Sequence, residues 1–269
     1  MVTASIVLYK TKIDELLKVV KAYNPDKTKI LYLIDNSPEE TVLPDSLTNN
    51  ENIIYEFQNS NKGYGSGHNV AIRKAQNIQS IYHFILNPDI IFDSSIINKI
   101  TAYMDKNPNI GLLMPKVLNT DGSIQYVCKL LPTPTNMFLR GFLSKFASKA
   151  NERFELRNTG YNKLIKVPYI SGCFMCFRCT VFNEVGLFDE KIFMNFEDTD
   201  ISRRVTRCFD TVMYPDVTII HKWNRESHKS RKMFIQTIKS AIYYFNKYGW
   251  FFDKERKRIN RLAEEFNNI

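Results

Sequence analysis

The chain has 269 residues, 44% of them hydrophobic and 24% charged, which is enough apolar content for one substantial core or two small ones and excludes a largely disordered protein. Five cysteines, an odd number, argue against a secreted disulfide framework, and no apolar run approaches the roughly 20 residues that cross a bilayer. The formal net charge is +9, and from His221 onward 12 Lys and Arg stand against 5 Asp and Glu. Such a basic surface suits nucleic acid, acidic lipids or phosphorylated substrates, without choosing among them.

The amino terminus lacks a basic segment before its apolar run and lacks a small-residue cleavage site, so 5–9 reads as a first strand and not as a signal peptide. Ile13, Leu16, Leu17 and Val20 then recur at helical spacing. Residues 30–34 form an apolar run cut off by Asp35-Asn36-Ser37-Pro38, and 53–57 form another short strand. Val70, Ala71, Ala75 and Ile78 mark a helix, 81–86 a strand, and Ile96, Ile97, Ile100, Tyr103 and Met104 a further helix. Strands that alternate with helices and are apolar on both faces indicate a mostly parallel sheet covered on both sides.

After residue 110 the pattern changes. Residues 111–117 and 124–128 read as a hairpin around Asn119-Thr-Asp-Gly122. The stretch 130–165 has no clear periodicity and suggests a mobile loop or insert. Residues 169–177 read as one buried strand, and 181–185 begin a short helix. Cys173, Cys176 and Cys179 are spaced C-x2-C-x2-C, but a fourth ligand is missing and residues three apart on a strand point to opposite faces. Core packing is therefore preferred over zinc or an iron–sulfur cluster. From Met233 onward the chain is helical, with Phe234, Ile238, Ala241, Phe245 and Tyr248 as a packing seam.

Several polar clusters fall at the ends of these elements. Asp35 and Asn36 close the second main strand, where a carboxylate can accept hydrogen bonds from a base or a ribose. Asn61-Lys-Gly63-Tyr64-Gly-Ser-Gly67-His-Asn69 is a glycine-rich loop opening a helix, a place that lets backbone approach a ligand and favours anions. Asn87-Pro-Asp89 ends an apolar strand and so sits at the sheet edge where open α/β sheets bind ligands. A carboxylate there can hold a divalent cation against a diphosphate, although an Asx-Pro turn alone would explain the same residues. Glu197, Asp198 and Asp200 crowd three carboxylates into four positions, either as an exposed helix start or as a source of a general base. His221 follows an apolar run and stands at a strand end.

In this order, and together with Ser171-Gly-Cys173 and Gly186-Leu-Phe-Asp-Glu190, the motifs resemble the inverting family 2 glycosyltransferases over roughly residues 3–225. The resemblance is closest to bacterial rhamnosyltransferase-like enzymes of surface polysaccharide (O-antigen, capsule, lipopolysaccharide) assembly. It implies a GT-A fold, Rossmann-like with a mostly parallel central sheet flanked by helices, over 1–225. The nucleotide-sugar half would span about 1–110 and the acceptor half about 111–225, followed by a basic, aromatic helical extension at 226–269. It implies a metal-dependent hexosyltransferase that uses Mg²⁺ or Mn²⁺ and a dTDP- or UDP-linked sugar.

Carried over residue by residue, Asp35 would contact the base. Tyr9, Asn36, Asn61, Gly63, Tyr64, Gly67, Asn69, Asn87 and Arg225 would line the substrate site. Asp89 and His221 would hold the metal. Asp198 would be the base, with Glu197 and Asp200 as supports, and Asp200 is left open as an alternative base. The chain departs from many relatives in having Asn87 where they have Asp. The acceptor implied is a saccharide on a polyprenyl diphosphate, and the place implied is the cytoplasmic face of the bacterial inner membrane. Trp250 and the aromatics after it, with Lys254, Arg256, Lys257 and Arg258, suit contact with an anionic membrane surface. An oligomer is compatible with all of this.

Two other readings compete. A nucleotidyltransferase making a nucleotide sugar would show a glycine-rich basic loop directly after the first strand, whereas Tyr9-Lys-Thr-Lys-Ile13 runs straight into a helix. A basic protein binding nucleic acid or lipid would explain the charge but leaves Glu197–Asp200 without a role. Nucleic acid is accordingly not expected as a partner.

Overall fold

The computed structural model describes residues 1–137, 148–222 and 231–268. Its first half alternates strand and helix: β1 (Val2–Leu8), α1 (Ile13–Tyr23), β2 (Lys29–Asp35), the one-turn α2 (Asp45–Thr48), β3 (Ile53–Phe57) and α3 (Tyr64–Asn77). β4 (Tyr82–Leu86), the two-residue β5 (Ile90–Ile91) and α4 (Ser95–Lys106) follow. The second half holds β6 (Ile110–Leu118), β7 (Cys128–Lys129), α5 (Ser148–Phe154), β8 (Ile165–Lys166), β9 (Tyr169–Ile170) and β10 (Phe174–Arg178). It continues through α6 (Val181–Val185), α7 (Glu197–Val205) and β11 (Asp210–His221) to α8 (Arg231–Tyr248) and α9 (Lys254–Asn267).

Nine strands form one sheet in the order β3-β2-β1-β4-β10-β6-β11-β5, with β8 added on β11. β1 to β4 pair in parallel, as do β6 and β11, and β10 runs antiparallel between β4 and β6. Tyr82 to Leu86 of β4 are all buried, which a strand covered by helices on both faces requires. Helices supply that cover through one apolar stripe each: Leu16, Val19, Val20 and Tyr23 on α1, and Ile96, Ile97, Ile100 and Met104 on α4. The mostly parallel sheet flanked by helices is the expected one. It brings the carboxyl ends of β1, β2 and β4 to one edge.

Four expectations are corrected. The hairpin after β6 is only a turn: Asn119 N–H donates to Ser123 O at 2.8 Å and Leu118 bridges Ile124, after which pairing stops. The chain bends away through Val127 N–H to Gln125 O (2.8 Å), and β7 pairs instead with β9 in a separate two-stranded sheet. The single strand at 169–177 is two strands, because Ser171-Gly172-Cys173 breaks it and lets β9 and β10 join different sheets. The described part of 130–165 is not a loose insert. It contains α5 and the fully buried Tyr161, whose hydroxyl lies 2.9 Å from the carbonyls of Cys128 and Glu155; residues 138–147 lie outside the described residues.

The fourth correction concerns the carboxyl-terminal helices. The residues of α8 that are buried lie in its later turns: Tyr244 and Phe245 pack against Ile192 and Phe196, and Ser240 donates to Met194 O. Phe234 and Ile238, placed in the seam by their spacing, are 54% and 42% exposed. Arg256, grouped with the membrane-facing cations, is buried instead and donates to Pro132 O and Trp250 O. The three clustered cysteines are buried, with Cys176 Sγ 3.5 Å from Met104 Sδ in the core.

Candidate functional site

The carboxyl end of β4 supplies the first part of the site. Asn87-Pro88-Asp89 leaves the strand and β5 begins at once, pairing antiparallel with the end of β11 so that His221 stands opposite Ile90. Lys222 N–H donates to Asp89 O at 3.1 Å and fixes that register. As a result His221 Nε2 lies 3.4 Å from Asp89 Oδ1 although 132 positions separate them in sequence. The imidazole is buried, and its Nδ1 is 2.7 Å from Gln125 Oε1.

The glycine loop supplies the second part, in an unexpected way. Gly63 has φ +103°, and a Cβ there would collide with the Phe193 carbonyl, to which Tyr64 N–H donates at 3.0 Å. Gly67 is pressed against Val7 and Asn36. These glycines thus admit close protein neighbours. Their effect is to aim Tyr64, whose hydroxyl sits 2.8 Å from Asn87 Oδ1 and 2.7 Å from Gly172 O. Burial, with the nearby carboxylates of Glu197, Asp198 and Asp89, holds that phenol well above its ordinary pKa.

The third part is the start of α7. Asn195 (φ 62°) and Phe196 (φ 74°) are consecutive left-handed residues, and they turn the acidic first turn of α7 into the body. Asp198 Oδ2 accepts from Gly172 N–H at 3.1 Å and lies 3.4 Å from the Tyr169 hydroxyl, while Oδ1 accepts from Thr199 N–H at 2.7 Å. Burial raises the Asp198 pKa, and the two backbone N–H groups oppose that rise. Glu197 is buried, its Oε2 has no hydrogen-bond partner among the described residues, and burial followed by the Asp198 charge pushes its pKa well up.

Asp200 is placed differently. It is fully buried, with Oδ2 on Arg204 (2.8 Å) and Oδ1 on Lys247 (2.7 Å) and the Tyr248 hydroxyl (2.8 Å). Its carboxylate therefore joins α7 to α8. The Gly172 peptide, by contrast, links the other groups: its N–H meets Asp198 and its carbonyl meets Tyr64, which reaches Asn87.

The remaining residues divide. Tyr9, 52% exposed at the end of β1, presents an accessible ring. Asn61 is exposed and caps the Gly63 turn through Oδ1, and Asn36 is buried and donates to Gly63 O. Asp35 is inaccessible: Oδ1 accepts from Ser37 N–H, and Oδ2 from Thr41 N–H and the Tyr55 hydroxyl. Burial opposes its ionisation, yet these donors hold its pKa below the usual carboxylate value. Asn69 is likewise buried and holds Phe188 and Glu190. Asp35 and Asn69 thus shape the loops around the edge from beneath. Arg225 lies outside the described residues. Gln125 went unnoticed in the sequence because an isolated Gln after a turn carries no motif; its role exists only once β11 brings His221 beside it.

The family model for glycosyl transferase family 2 matches residues 8–186. The chain belongs to this family. Over 212 residues the chain is 24% identical to a hexosyltransferase of low-salt glycan biosynthesis from Haloferax volcanii, covering 74% of this chain and 64% of that protein. Over 145 residues it is 25% identical to the N-acetylglucosaminyl-diphospho-decaprenol L-rhamnosyltransferase of Mycobacterium tuberculosis, covering 51% and 45%. It therefore spans less than two thirds of the length of either relative. Among solved structures, GalNAc-T7 with UDP, GalNAc and Mn²⁺ superposes with a TM-score of 0.63 at 15% identity, over 99% of this chain and 54% of that one. That likeness establishes the GT-A architecture.

The Asp89–His221 pair fits a divalent cation. A carboxylate oxygen and an imidazole nitrogen face each other at a separation longer than a charge-assisted hydrogen bond. Among the described residues no group of three or more His, Cys, Asp or Glu side chains is placed to hold a metal ion. A protein site of two donors leaves the remaining coordination positions to phosphate oxygens and water, the manner in which Mg²⁺ is commonly held with its substrate.

Proposed function

We propose that this glycosyltransferase moves a hexose, rhamnose foremost, from a dTDP- or UDP-linked donor to a saccharide carried on a polyprenyl diphosphate. The role we assign it is in bacterial surface polysaccharide synthesis, at the inner face of the cytoplasmic membrane. The reading rests above all on the contacts that run from Asp198 through the Gly172 peptide and the Tyr64 hydroxyl to Asn87, beside the facing Asp89–His221 pair. Donor and acceptor carrier are suggested by the rhamnosyltransferase relative, whose name specifies a decaprenyl diphosphate substrate.

Asp198 is the proposed base. It takes the acceptor hydroxyl proton as that oxygen bonds to the anomeric carbon, and the bond from that carbon to the diphosphate breaks on the opposite face, giving inversion. Backbone donors from Gly172 and Thr199 favour the ionised form of Asp198 over that of Glu197, the carboxyl less able to lose its proton. Asp89 and His221 would hold Mg²⁺ or Mn²⁺, which when bound neutralises charge on the leaving diphosphate. Asp200, tied to two cations, braces the helix that carries Asp198 and is not the base in this scheme. Tyr9 offers its ring to the nucleoside, and Arg225 remains assigned to the substrate.

Calorimetric titration of dTDP, UDP and GDP, with and without Mn²⁺, tests this reading. One nucleotide is expected to bind with Mn²⁺, and Asp89→Ala to abolish the Mn²⁺-dependent part. Asp198→Asn should bind that nucleotide like the wild type yet transfer sugar about 10²- to 10⁴-fold more slowly. Failure of every nucleotide to bind would sink the proposal.

A further inference from the structure

The Gln125–His221 contact carries a chemical instruction. The Gln125 amide is oriented by its other end, since Nε2 donates to Asn119 Oδ1 at 2.8 Å and to the His221 carbonyl at 3.3 Å. Asn119 is oriented in turn by its own Nδ2, which donates to Ser123 Oγ at 2.9 Å. Oε1 is therefore the atom that meets His221 Nδ1 at 2.7 Å, and an amide oxygen only accepts. Nδ1 must carry a proton, so in the neutral ring it is Nε2 that keeps the lone pair.

The surroundings of Nε2 agree. At 3.4 Å, Asp89 Oδ1 is farther from Nε2 than the roughly 2.7–2.9 Å of a charge-assisted hydrogen bond. The imidazole and the Gln125 side chain are both buried, so water does not compete for Nδ1.

We infer that Gln125 is a positioning residue: it fixes His221 in the Nδ1–H tautomer and so presents Nε2, with Asp89, as a ready-made donor to a divalent cation. The inference rests on the metal site assigned under the proposed function. Asn119 and Ser123, in the turn after β6, belong to the same relay. Sequence-distant groups from a loop, a turn and a strand end thus meet at one imidazole. A partner that hydrogen-bonds the second nitrogen of a ligating histidine sets its orientation and basicity, and loss of such a partner weakens metal binding about 10- to 100-fold.

The test has two readouts. Long-range ¹H–¹⁵N correlation on the metal-free protein at neutral pH reads the His221 tautomer, its signals assigned by loss in His221→Gln. The expected result is a protonated Nδ1 and a bare Nε2 in the wild type, and a mixed or reversed tautomer in Gln125→Leu. Mn²⁺ titration by EPR with the bound nucleoside diphosphate should show affinity falling about 10- to 100-fold in Gln125→Leu, with no further effect of that change in a His221→Gln background.

Gln125→Glu keeps an acceptor for Nδ1–H and should retain both the tautomer and most of the affinity, which separates positioning from a packing defect. An Nε2–H in the wild type, or unchanged Mn²⁺ affinity in Gln125→Leu, would overturn the inference. Absence of Mn²⁺ binding to the wild type would remove the metal site itself, and that failure is told apart because the tautomer is read without metal.

Discussion

Glu197 and Asp198 are neighbours in sequence with opposite provisions for charge. Asp198 accepts from two backbone N–H groups, while one buried Glu197 oxygen beside it has no hydrogen-bond partner among the described residues. A carboxyl whose pKa is raised on folding binds its proton more tightly folded than unfolded. Folding stability therefore falls as pH rises from the unfolded value, near 4.5, up to the folded one, and the cost is complete above it. Glu197→Gln removes that titration while keeping the shape. Melting temperatures across pH 4–9 should coincide at the acid end, and the variant should become progressively more stable than the wild type as pH rises. Parallel curves would show that Glu197 does not titrate differently in the folded state. The acidic run itself was legible in the sequence, as were Asp89 and His221 at strand ends. Which carboxylate faces Gly172 and which is tied to Arg204 and Lys247 was not, because those partners come from β9–β10, from α7 itself and from α8.

Arg203 shows what joins the last helix to the rest. Its guanidinium on α7 is 1% exposed, meets Asp253 at 2.6 Å and Glu255 at 2.7 Å, and lies 4.0 Å over the Tyr248 ring. Asp253 also caps α9, accepting from Arg256 N–H at 2.8 Å. Asp253→Ala leaves a buried cation half compensated and removes the cap, so a loss of about 3–5 kcal/mol is expected in urea unfolding. Adding Arg203→Met should recover a substantial part, since an apolar pair replaces an unmatched charge. A loss below about 1 kcal/mol, too small for a buried cation stripped of its partner, would show that α9 is held by apolar contact instead. At this scale the alternating first half was readable from period alone: β3 at 53–57 and the helical stripes of α1 and α4 stand where their apolar spacing puts them. The second half was not. Separating β9 from β10, or Gln125 from a second hairpin strand, depends on which sheet each segment joins, and nothing within a seven-residue window encodes that choice.

Over the whole molecule the charge is +9, and no helix of the described residues is long and apolar enough to cross a membrane. The membrane contact proposed for this chain is through its surface. Phe251 and Phe252 are 66% and 92% exposed between α8 and α9, next to the exposed Trp250, Lys254, Lys257 and Arg258. Aromatic side chains beside cations suit the headgroup region, and each Lys or Arg near an anionic surface contributes about 1 kcal/mol. Lys254→Gln, Lys257→Gln and Arg258→Gln together should weaken sedimentation with phosphatidylglycerol vesicles by roughly 100-fold, as about 3 kcal/mol implies. Wild-type binding should fall with salt and be weak on neutral phosphatidylcholine. Arg256 is the internal control. Buried and bonded to the carbonyls of Pro132 and Trp250, it should affect unfolding and not vesicle binding when changed to Gln. Equal binding by the triple variant would remove the electrostatic attachment, and binding that survives high salt but is lost in Phe251→Ser with Phe252→Ser would assign it to the aromatics alone.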